Sequence, residues 1–194
     1  MTKKELLSNK LWYHVTTTLG YERILETKIR ASVNKNQPRD FGYGFYLNKS
    51  LDWSRWYIEK VLNKDLPEEN LKNYVVLGIN FSLENVEKKY GVGSILYYDS
   101  QQQDGYAEFV FNNRAYYESY RHSNDVVAGP MASLEQIDAI RAFRNEKASK
   151  AEVIAFLKGK EEETQILLHK QRICDMIKVK KDILKVYSWE ELRR

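Results

Sequence analysis

Short runs of bulky apolar residues alternate along the chain with stretches in which apolar residues recur every three or four positions. Runs rich in aromatic and β-branched residues, bounded by polar or turn residues, are typical of strands. Seven runs of this kind occur, at residues 10–16, 45–47, 74–81, 94–98, 125–130, 163–169 and 182–187. The pattern predicts seven strands, with the strongest signal at residues 74–81.

The stretches with helical spacing are opened by residues that commonly cap helices. Ser50 precedes Trp53, Trp56, Tyr57 and Val61, a spacing that predicts a helix ending near residue 63. The other predicted helical segments are residues 18–26 with Thr18 as cap, a turn at residues 85–89, an amphipathic helix at residues 106–117 that carries Arg114, and two helices opened by the capping boxes Ser133/Gln136 and Ser149/Glu152. This order of strands and helices fits an α+β domain.

The predicted connections are polar or contain glycine and proline. They are extended structure at residues 29–31, loops at residues 32–39 and 101–105, an exposed connection around Pro67, a turn at residues 91–93 and a helix end at Gly159. No internal repeat or domain boundary is evident, so residues 1–194 are predicted to form one domain.

The stretch at residues 40–57 is the feature around which the chain is organised. Gly42 and Gly44, two residues apart, permit backbone conformations and close approaches that a side chain would forbid. A predicted strand and helix follow directly, so a ligand could lie against this backbone. The aromatic residues of the helix, taken alone, are more typical of a core.

Composition narrows the class of protein. The single cysteine, Cys174, excludes an internal disulfide framework and favours a reducing cytosol; by itself it is typical of a small buried hydrophobe. The N-terminus lacks the apolar core of a signal peptide, and no stretch approaches the ~20 apolar residues of a membrane span. We therefore expect a soluble, cytoplasmic protein. The 31 Lys and Arg against 27 Asp and Glu are compatible with a nucleic-acid partner.

Several catalytic motifs are missing from the chain. It has no Gly-x-Ser-x-Gly elbow, no His-Glu-x-x-His pair and no Walker loop, which argues against common hydrolases, zinc proteases and nucleoside triphosphatases. Neither Cys174 nor the three histidines show metal-ligand spacing, so no metal is expected. A single strand histidine such as His14 is by itself more typical of a hydrogen-bonded core residue.

Four sequence elements in order nevertheless carry a resemblance. Tyr13-His14-Val15-Thr16 is followed by Arg30, then by Phe41-Gly-Tyr-Gly-Phe-Tyr46, and then by Ser54 and Tyr57. This order resembles the NAD-binding half of ADP-ribosyltransferases of the diphtheria-toxin and poly(ADP-ribose) polymerase type. With residues 125–130 and 164–169 included, the chain is most similar to small bacterial ADP-ribosyltransferase-like domains of toxin and phage-defence systems. The resemblance covers about residues 11–168 and implies split, mostly antiparallel sheets flanked by helices, with an NAD cleft between them.

The resemblance also implies roles for individual residues. His14 would hydrogen-bond a ribose hydroxyl of NAD, the Val15 backbone would hold the nicotinamide amide, and Thr16 and Arg30 would contact the adenosine side. Tyr46 and Tyr57 would sandwich the nicotinamide ring, Ser54 would bond its amide, and Gly42 and Gly44 would shape the entry to the slot. Positioning and electrostatic stabilisation of an oxocarbenium-like sugar would supply the catalysis, with NAD as co-substrate and no metal.

The chain departs from the resemblance at the third catalytic position. Gln165 stands where the better-known enzymes have a glutamate; it can hydrogen-bond a ribose but cannot act as a general base. Glu163 shares its strand face and could steer an acceptor, or could simply end the acidic run at residues 161–163. Arg114 and Asp125 are further acceptor-side candidates, and each could equally form a structural ion pair.

The sequence thus predicts a mono-ADP-ribosyltransferase with a toxin-like role. The basic balance and the tyrosines available for base stacking favour a nucleic-acid acceptor, RNA ahead of DNA, over protein. A toxin would also imply a neutralising antitoxin protein. Two alternatives stay open: an NAD glycohydrolase, in which water is the acceptor, and a catalytically silent module that binds NAD or nucleotide ends.

Overall fold

A computed structural model describes residues 2–32, 35, 37–62, 73–99, 102–158, 163–180 and 184–192 of the chain. Its strands are β1 (Leu11–Thr17), β2 (Phe45–Asn48), β3 (Tyr74–Asn80), β4 (Ile95–Tyr97), β5 (Val126–Pro130), β6 (Thr164–Leu168) and β7 (Lys185–Ser188). They form one seven-stranded mixed sheet in the order β4-β5-β6-β2-β1-β3-β7. Only β4 and β5 run parallel; the other neighbouring strands in this sheet are antiparallel.

Helices flank this sheet. They are α1 (Lys3–Ser8), α2 (Thr18–Thr27), α3 (Leu51–Tyr57), α4 (Leu83–Tyr90), α5 (Gln103–Ala115), α6 (Leu134–Arg144), α7 (Lys150–Leu157), α8 (Gln171–Cys174) and α9 (Trp189–Leu192). A π-helix, Ile58–Leu62, continues α3, and a 3₁₀-helix, Val92–Ser94, precedes β4. No helix in the described part of the chain is long and apolar enough to cross a membrane. The predicted α+β class and all seven predicted strands are confirmed.

The sheet consists of two halves that barely touch through their main chains. We call β4-β5-β6-β2 the four-strand half and β1-β3-β7 the three-strand half. Strands β1 and β3 pair along the whole length from Leu11 to Thr17, whereas β1 and β2 share the single residue pair Tyr13↔Asn48. Beyond that pair the two central strands diverge. The sheet is therefore continuous but has a split between β1 and β2.

The two faces of the sheet are packed differently. On one face a single apolar cluster crosses both halves and includes Trp12, Leu77, Leu47 and Ile166, each buried. On the opposite face the core is divided: one cluster covers the four-strand half, and a smaller one around Val76 covers the three-strand half. Polar side chains lie between those two clusters, which places a candidate site there.

Local capping signals mostly have the predicted geometry. Ser50 caps α3 by accepting a hydrogen bond from Trp53 N, and the capping boxes at Ser133 and Ser149 are both formed. The cap of α2 is Thr17 and not Thr18, because the Thr17 hydroxyl accepts from Gly20 N. Strand β1 therefore runs one residue further than predicted before the helix begins.

Several other predicted bounds need correction. The polar residues from Gln103 onward belong to α5 and not to a loop, the predicted turn at residues 85–89 is part of the eight-residue α4, and Tyr117 lies beyond the end of α5. Residues 29–31 lie outside the seven strands, and the Gln171 side chain bonds their main chain, donating to Ile29 O at 2.8 Å and accepting from Ala31 N at 3.0 Å. Pro67, Gly159 and the predicted helix end at residue 63 lie outside the described residues.

The aromatic stripe of α3 is not its buried face. Ser54 and Ile58 are fully buried towards the sheet, whereas Trp56 is 45% exposed. Trp53 instead stacks on Tyr57, with ring centroids 4.9 Å apart and an interplanar angle of 20°. The prediction of an aromatic core along this helix is wrong for Trp56, because Ser54 and Ile58 fill the space against the sheet.

Candidate functional site

The split between β1 and β2 is bridged by a side chain. His14 Nδ1 donates a hydrogen bond to Tyr46 O at 2.8 Å, just where the two strands have stopped pairing. The His14 ring also packs on Phe45, with centroids 4.1 Å apart. Burial lowers the pKa of His14 to about 4, so the ring is neutral at physiological pH and its tautomer is fixed by the carbonyl it meets. His14 on β1 and Tyr46 on β2 thus lie on opposite edges of the split and are joined by this hydrogen bond.

The Tyr46 hydroxyl is fixed by the glycine turn that precedes its strand. It donates to Gly42 O at 2.7 Å and accepts from Phe41 N at 3.0 Å, while its ring lies nearly parallel to that of Phe41. Burial, with the nearby Asp40 carboxylate as a smaller cause, raises the pKa of Tyr46 well above its usual 10. The side chain is therefore a neutral aromatic wall with a fixed orientation.

The glycines of this turn are required by geometry. Gly42 has φ +87° and Gly44 φ +150°, a region of backbone conformation that other residues rarely adopt. A Cβ atom on Gly44 would stand 2.3 Å from Leu167 Cδ1 and 2.7 Å from the Leu168 carbonyl. The turn can therefore lie directly against β6 only because position 44 has no side chain.

A row of buried polar side chains crosses the sheet on the face where the core is divided. It runs from α3 over β2 and β6 to α5 and consists of Ser54, Asn48, Gln165, Asp40 and Arg114. The first four are at most 5% exposed. A buried polar group lowers the stability of the fold unless it is hydrogen-bonded. The hydrogen bonds within the row therefore show which of its atoms are already occupied.

Each end of the row is closed by hydrogen bonds. Asn48 Nδ2 donates to Ser54 Oγ at 3.0 Å, and the Ser54 hydroxyl lies 3.0 Å from Ser50 O. At the other end Gln165 Nε2 donates to Asp40 Oδ2 at 2.6 Å, and Asp40 Oδ1 pairs with Arg114 Nε. Asn48 and Gln165 are directly opposite each other on β2 and β6. The row links the two ends of the stretch at residues 40–57 through the sheet.

The chain matches one described protein family. Residues 13–179 match the sequence profile of "Protein of unknown function (DUF3990)". The chain belongs to this family. No curated protein and no solved structure matches it. The DUF3990 description names no activity, so the function of this member has to be argued from its own residues.

All three histidines of this DUF3990 chain bind the same short segment. His122 Nε2 donates to Phe41 O at 2.7 Å and His169 Nδ1 donates to Tyr43 O at 2.9 Å, while His14 holds Tyr46 O. The rings of His122 and His169 lie 4.3 Å apart. Burial lowers the pKa of His122 to about 4 and also lowers that of His169. Imidazole N–H groups therefore anchor the glycine turn on both sides.

A pocket lies on the side of the glycine turn that faces the end of α5. Its walls include aromatic and basic side chains, among them Tyr43, Tyr117, Tyr120, Lys35 and Arg121. The Arg121 guanidinium donates to three main-chain carbonyls in the turn that follows α5 and so is held in place. The pocket offers aromatic faces beside fixed positive charge.

The predicted site residues fall into groups. Ser54, Gln165 and Arg114 are brought together in the buried row, and Tyr57 lies on α3 with Ser54. His14, Val15 and Thr16 line the β1 edge of the split, opposite Tyr46 and Gly44 at the β2 edge. The rings of Tyr46 and Tyr57 pack on different partners, Phe41 and Trp53, in this structure.

Facing directions further divide the predicted catalytic residues. His14 is paired with Leu77, which belongs to the continuous core, whereas Gln165 is on the opposite face with Asn48. The His14 side chain therefore meets the main chain of Tyr46 and does not share a face with Gln165. A ligand that used both would have to lie in the split itself, between the strand edges.

Three predicted residues lie away from the row. Arg30 is exposed in the connection after α2, and Glu163 is half-buried immediately before β6. Asp125 pairs with Arg172 and lies beside His169, four residues along the ladder from Gln165, or about 13 Å at the usual rise of a strand. Asp125 thus forms a structural ion pair at the opposite end of β5 and β6 from Gln165.

Sequence reasoning missed Asp40 and Asn48 as site residues. Asp40 is bonded by Arg114 and Gln165, which are 74 and 125 positions away in the chain. Asn48 bonds Ser54 locally, and its distant neighbour is Gln165, its partner in the ladder. The available signal was a polar residue at the end of an apolar strand for Asn48, and an acid next to a glycine turn for Asp40. Within the described residues, no group of three or more His, Cys, Asp and Glu side chains is arranged to hold a metal ion.

Proposed function

We propose that this protein is an NAD-dependent mono-ADP-ribosyltransferase whose NAD site lies at the split between β1 and β2. The observation that carries the proposal is the meeting of His14 and Tyr46 across that split, with Gly44 two residues before Tyr46 in the chain. These residues come from two separate segments that carry the sequence resemblance to ADP-ribosyltransferases. The resemblance also implies a split sheet, and β1 and β2 here share a single residue pair.

The chemistry required of such a site is limited. The bond between the nicotinamide nitrogen and ribose C1′ breaks, its electron pair goes to the ring nitrogen, and the pyridinium charge is neutralised. The oxocarbenium-like C1′ is then attacked by an acceptor nucleophile, whose proton passes to solvent water. A group that fixes the ribose and the ring lowers the barrier by positioning and electrostatics.

The residues at hand can meet those requirements. The neutral His14 ring is oriented by its bond to Tyr46 O and can offer its second nitrogen to a ribose hydroxyl. The diverging main chain of Val15 is the element proposed to hold the carboxamide, and the walls of Tyr46 and Tyr57 supply aromatic faces for the cationic ring. Arg30 is exposed, as a side chain proposed to contact the adenosine portion must be.

For the acceptor we favour nucleic acid, with RNA ahead of DNA. The support is the surface around the small pocket beside the glycine turn, where Tyr43, Tyr117 and Tyr120 stand next to Lys35 and Arg121. A base would lie across this surface, because the pocket itself has room for about one water molecule. Aromatic faces beside positive charge suit an unpaired base and its phosphate. A toxin-like role with a neutralising protein partner belongs to the same proposal.

The test is incubation with labelled NAD and a whole-cell extract, followed by separate digestion with nuclease and with protease. We expect nicotinamide release, label that is lost with nuclease, and no release by the His14→Ala variant. Label that survives nuclease but not protease would move the acceptor to protein. Free ADP-ribose without labelled macromolecule would identify an NAD glycohydrolase.

One observation favours a binding-only alternative. Gln165 is an uncharged amide and therefore cannot take a proton from an acceptor. It is also 5% exposed and bonded to Asp40. A silent module would bind NAD in calorimetry without releasing nicotinamide. Absence of both binding and turnover in the wild-type protein would overturn the proposal.

A further inference from the structure

Asp40 is a buried carboxylate that the resemblance does not assign to the NAD site. Its side chain is 3% exposed, and it begins the turn that contains both site glycines. It contacts Arg114 from α5, Ala132 N before α6, and the amide of Gln165 on β6. One acidic group thus joins three separate segments at the position where the chain lacks a catalytic glutamate.

The partners of Asp40 exclude a role as proton carrier. Oδ1 accepts from Arg114 Nε, and Oδ2 accepts from Ala132 N at 3.0 Å and from Gln165 Nε2 at 2.6 Å. Arg114 itself is only 13% exposed, so the pair is shielded from water and its charges compensate each other. A carboxylate bound by three donors in this way acts through the groups it holds.

The group it holds next to the sheet is the Gln165 amide. An amide has a donor end and an acceptor end, whereas an ionised carboxylate only accepts. Asp40 therefore selects the orientation in which Nε2 points to the carboxylate and Oε1 points away from it. Donation to an anion also polarises the amide and increases the negative charge on Oε1.

We infer that Asp40 is a positioning residue, which presents Gln165 Oε1 as a fixed and polarised acceptor for a ribose hydroxyl of NAD. The inference rests on the proposed function, since it assumes that NAD binds next to Gln165. It accounts for a glutamine at this position. The negative charge is supplied by Asp40, which is bonded to the Gln165 amide and whose charge is compensated by Arg114.

A first consequence concerns the exchange of Gln165 for glutamate. Gln165→Glu would bring a second carboxylate to within hydrogen-bond distance of Asp40, and two such groups cannot both stay ionised. When the introduced carboxyl group is protonated it can replace the amide, because its O–H donates to Asp40 and its carbonyl oxygen accepts. The variant is therefore active at low pH and loses kcat at least tenfold between about pH 5.5 and about pH 8.

A second consequence concerns Asp40 itself. In Asp40→Asn the Gln165 amide loses its fixed orientation, so we expect kcat for nicotinamide release to fall about 100-fold, the cost of a misplaced group. The KM for NAD should stay within threefold, because Asp40 does not contact the ligand. The matched control is Asp138→Asn, which breaks an exposed ion pair with Arg141 and should leave kcat within twofold.

The experiment is a set of steady-state measurements of nicotinamide release on the full chain and these three variants, with circular dichroism to show that each is folded. Wild-type turnover together with a folded Asp40→Asn whose kcat is within threefold of wild type would overturn the inference and leave the proposed function standing. Absence of wild-type turnover overturns both.

If Asp40→Asn does not fold, the pH profile of Gln165→Glu decides. A merely structural contact predicts no such profile, so a steep loss of kcat towards pH 8 supports the positioning role. A kcat for Gln165→Glu that equals or exceeds wild type at pH 8 would overturn it.

Discussion

The two halves of the sheet are built in the same way internally and are joined in a very different way. Within the three-strand half, β1 and β3 pair at seven successive positions, and within the four-strand half, β5 and β6 pair at five. The halves themselves share the single pair Tyr13↔Asn48. The regular ladders and the continuous core on one face stabilise both halves. The junction on the other face can therefore contain polar groups.

The largest expected effect comes from breaking the four-strand half at Gly44. Gly44→Ala combines a strained φ with a clash against Leu167 and the Leu168 carbonyl, so we expect a loss of about 3–5 kcal/mol in the free energy of unfolding. Denaturant titration measures it. Gly93→Ala is the control, because a Cβ there meets nothing within 4 Å. An equal effect of the two substitutions would contradict the close approach of the turn to β6.

The second comparison uses buried and exposed tryptophans of the three-strand half and its neighbouring helix. Trp12 is fully buried in the continuous core, and Trp12→Ala should cost about 3–5 kcal/mol. Trp56→Ala should cost less than about 1 kcal/mol, because that ring is 45% exposed on α3. Comparable losses would place the aromatic stripe of α3 in the core after all.

The junction itself is tested by Asn48→Ala. The variant removes a donor to Ser54 and an acceptor for Ser50 N in a buried setting, so the expected loss is about 1–3 kcal/mol. Asn80→Ala at the exposed end of β3 is the matched control and should change the free energy of unfolding by less than about 0.5 kcal/mol. Hydrogen exchange should show faster opening at β2 than at β3 in the Asn48 variant. Uniform protection across both strands would argue against a weak junction.

A smaller effect is expected from pH. Burial lowers the folded-state pKa of His14 and His122 from 6.5 to about 4, so the unfolded chain binds more protons between those values. The free energy of unfolding is therefore unaffected by the ionisation of these two histidines above about pH 6.5 and decreases as the pH falls towards 4. His122→Gln should flatten part of this slope, as measured by unfolding at several pH values. Stability that rises as the pH falls towards 4 would contradict neutral histidine donors at the turn.

The fold was predictable where the signals were local. Apolar runs marked every strand, and the capping boxes at Ser133 and Ser149 marked two helix starts, because both depend on residues that are neighbours in sequence. Local signals do not reveal how residues 29–31 are held, because their main chain is bonded by the Gln171 side chain. A partner 140 positions away leaves no trace in the local pattern.

The site was predictable only in part, for the same reason. The glycine turn and Ser54 carry residue types that a pattern can single out. The role of Asp40 depends on Gln165 and Arg114, which reach it from different segments, and the placement of His122 and His169 depends on the path of the turn. Single side chains could be nominated from sequence, but not the row they form.

The single pair Tyr13↔Asn48 also sets the mechanics of the split. With one main-chain pair, the His14–Tyr46 hydrogen bond beside it and an unbroken core behind, the two halves have the arrangement of a hinge whose backing is the continuous apolar face. Gly44 lies four residues from Asn48, a lever of about 13 Å at the usual rise of a strand. A rotation of about 10° at the hinge would move the glycine turn by roughly 2 Å over that lever. Such a change of twist would alter the distance from Gly44 to β1 without breaking a hydrogen bond within either ladder, and the bond that spans the split is the one from His14 to Tyr46.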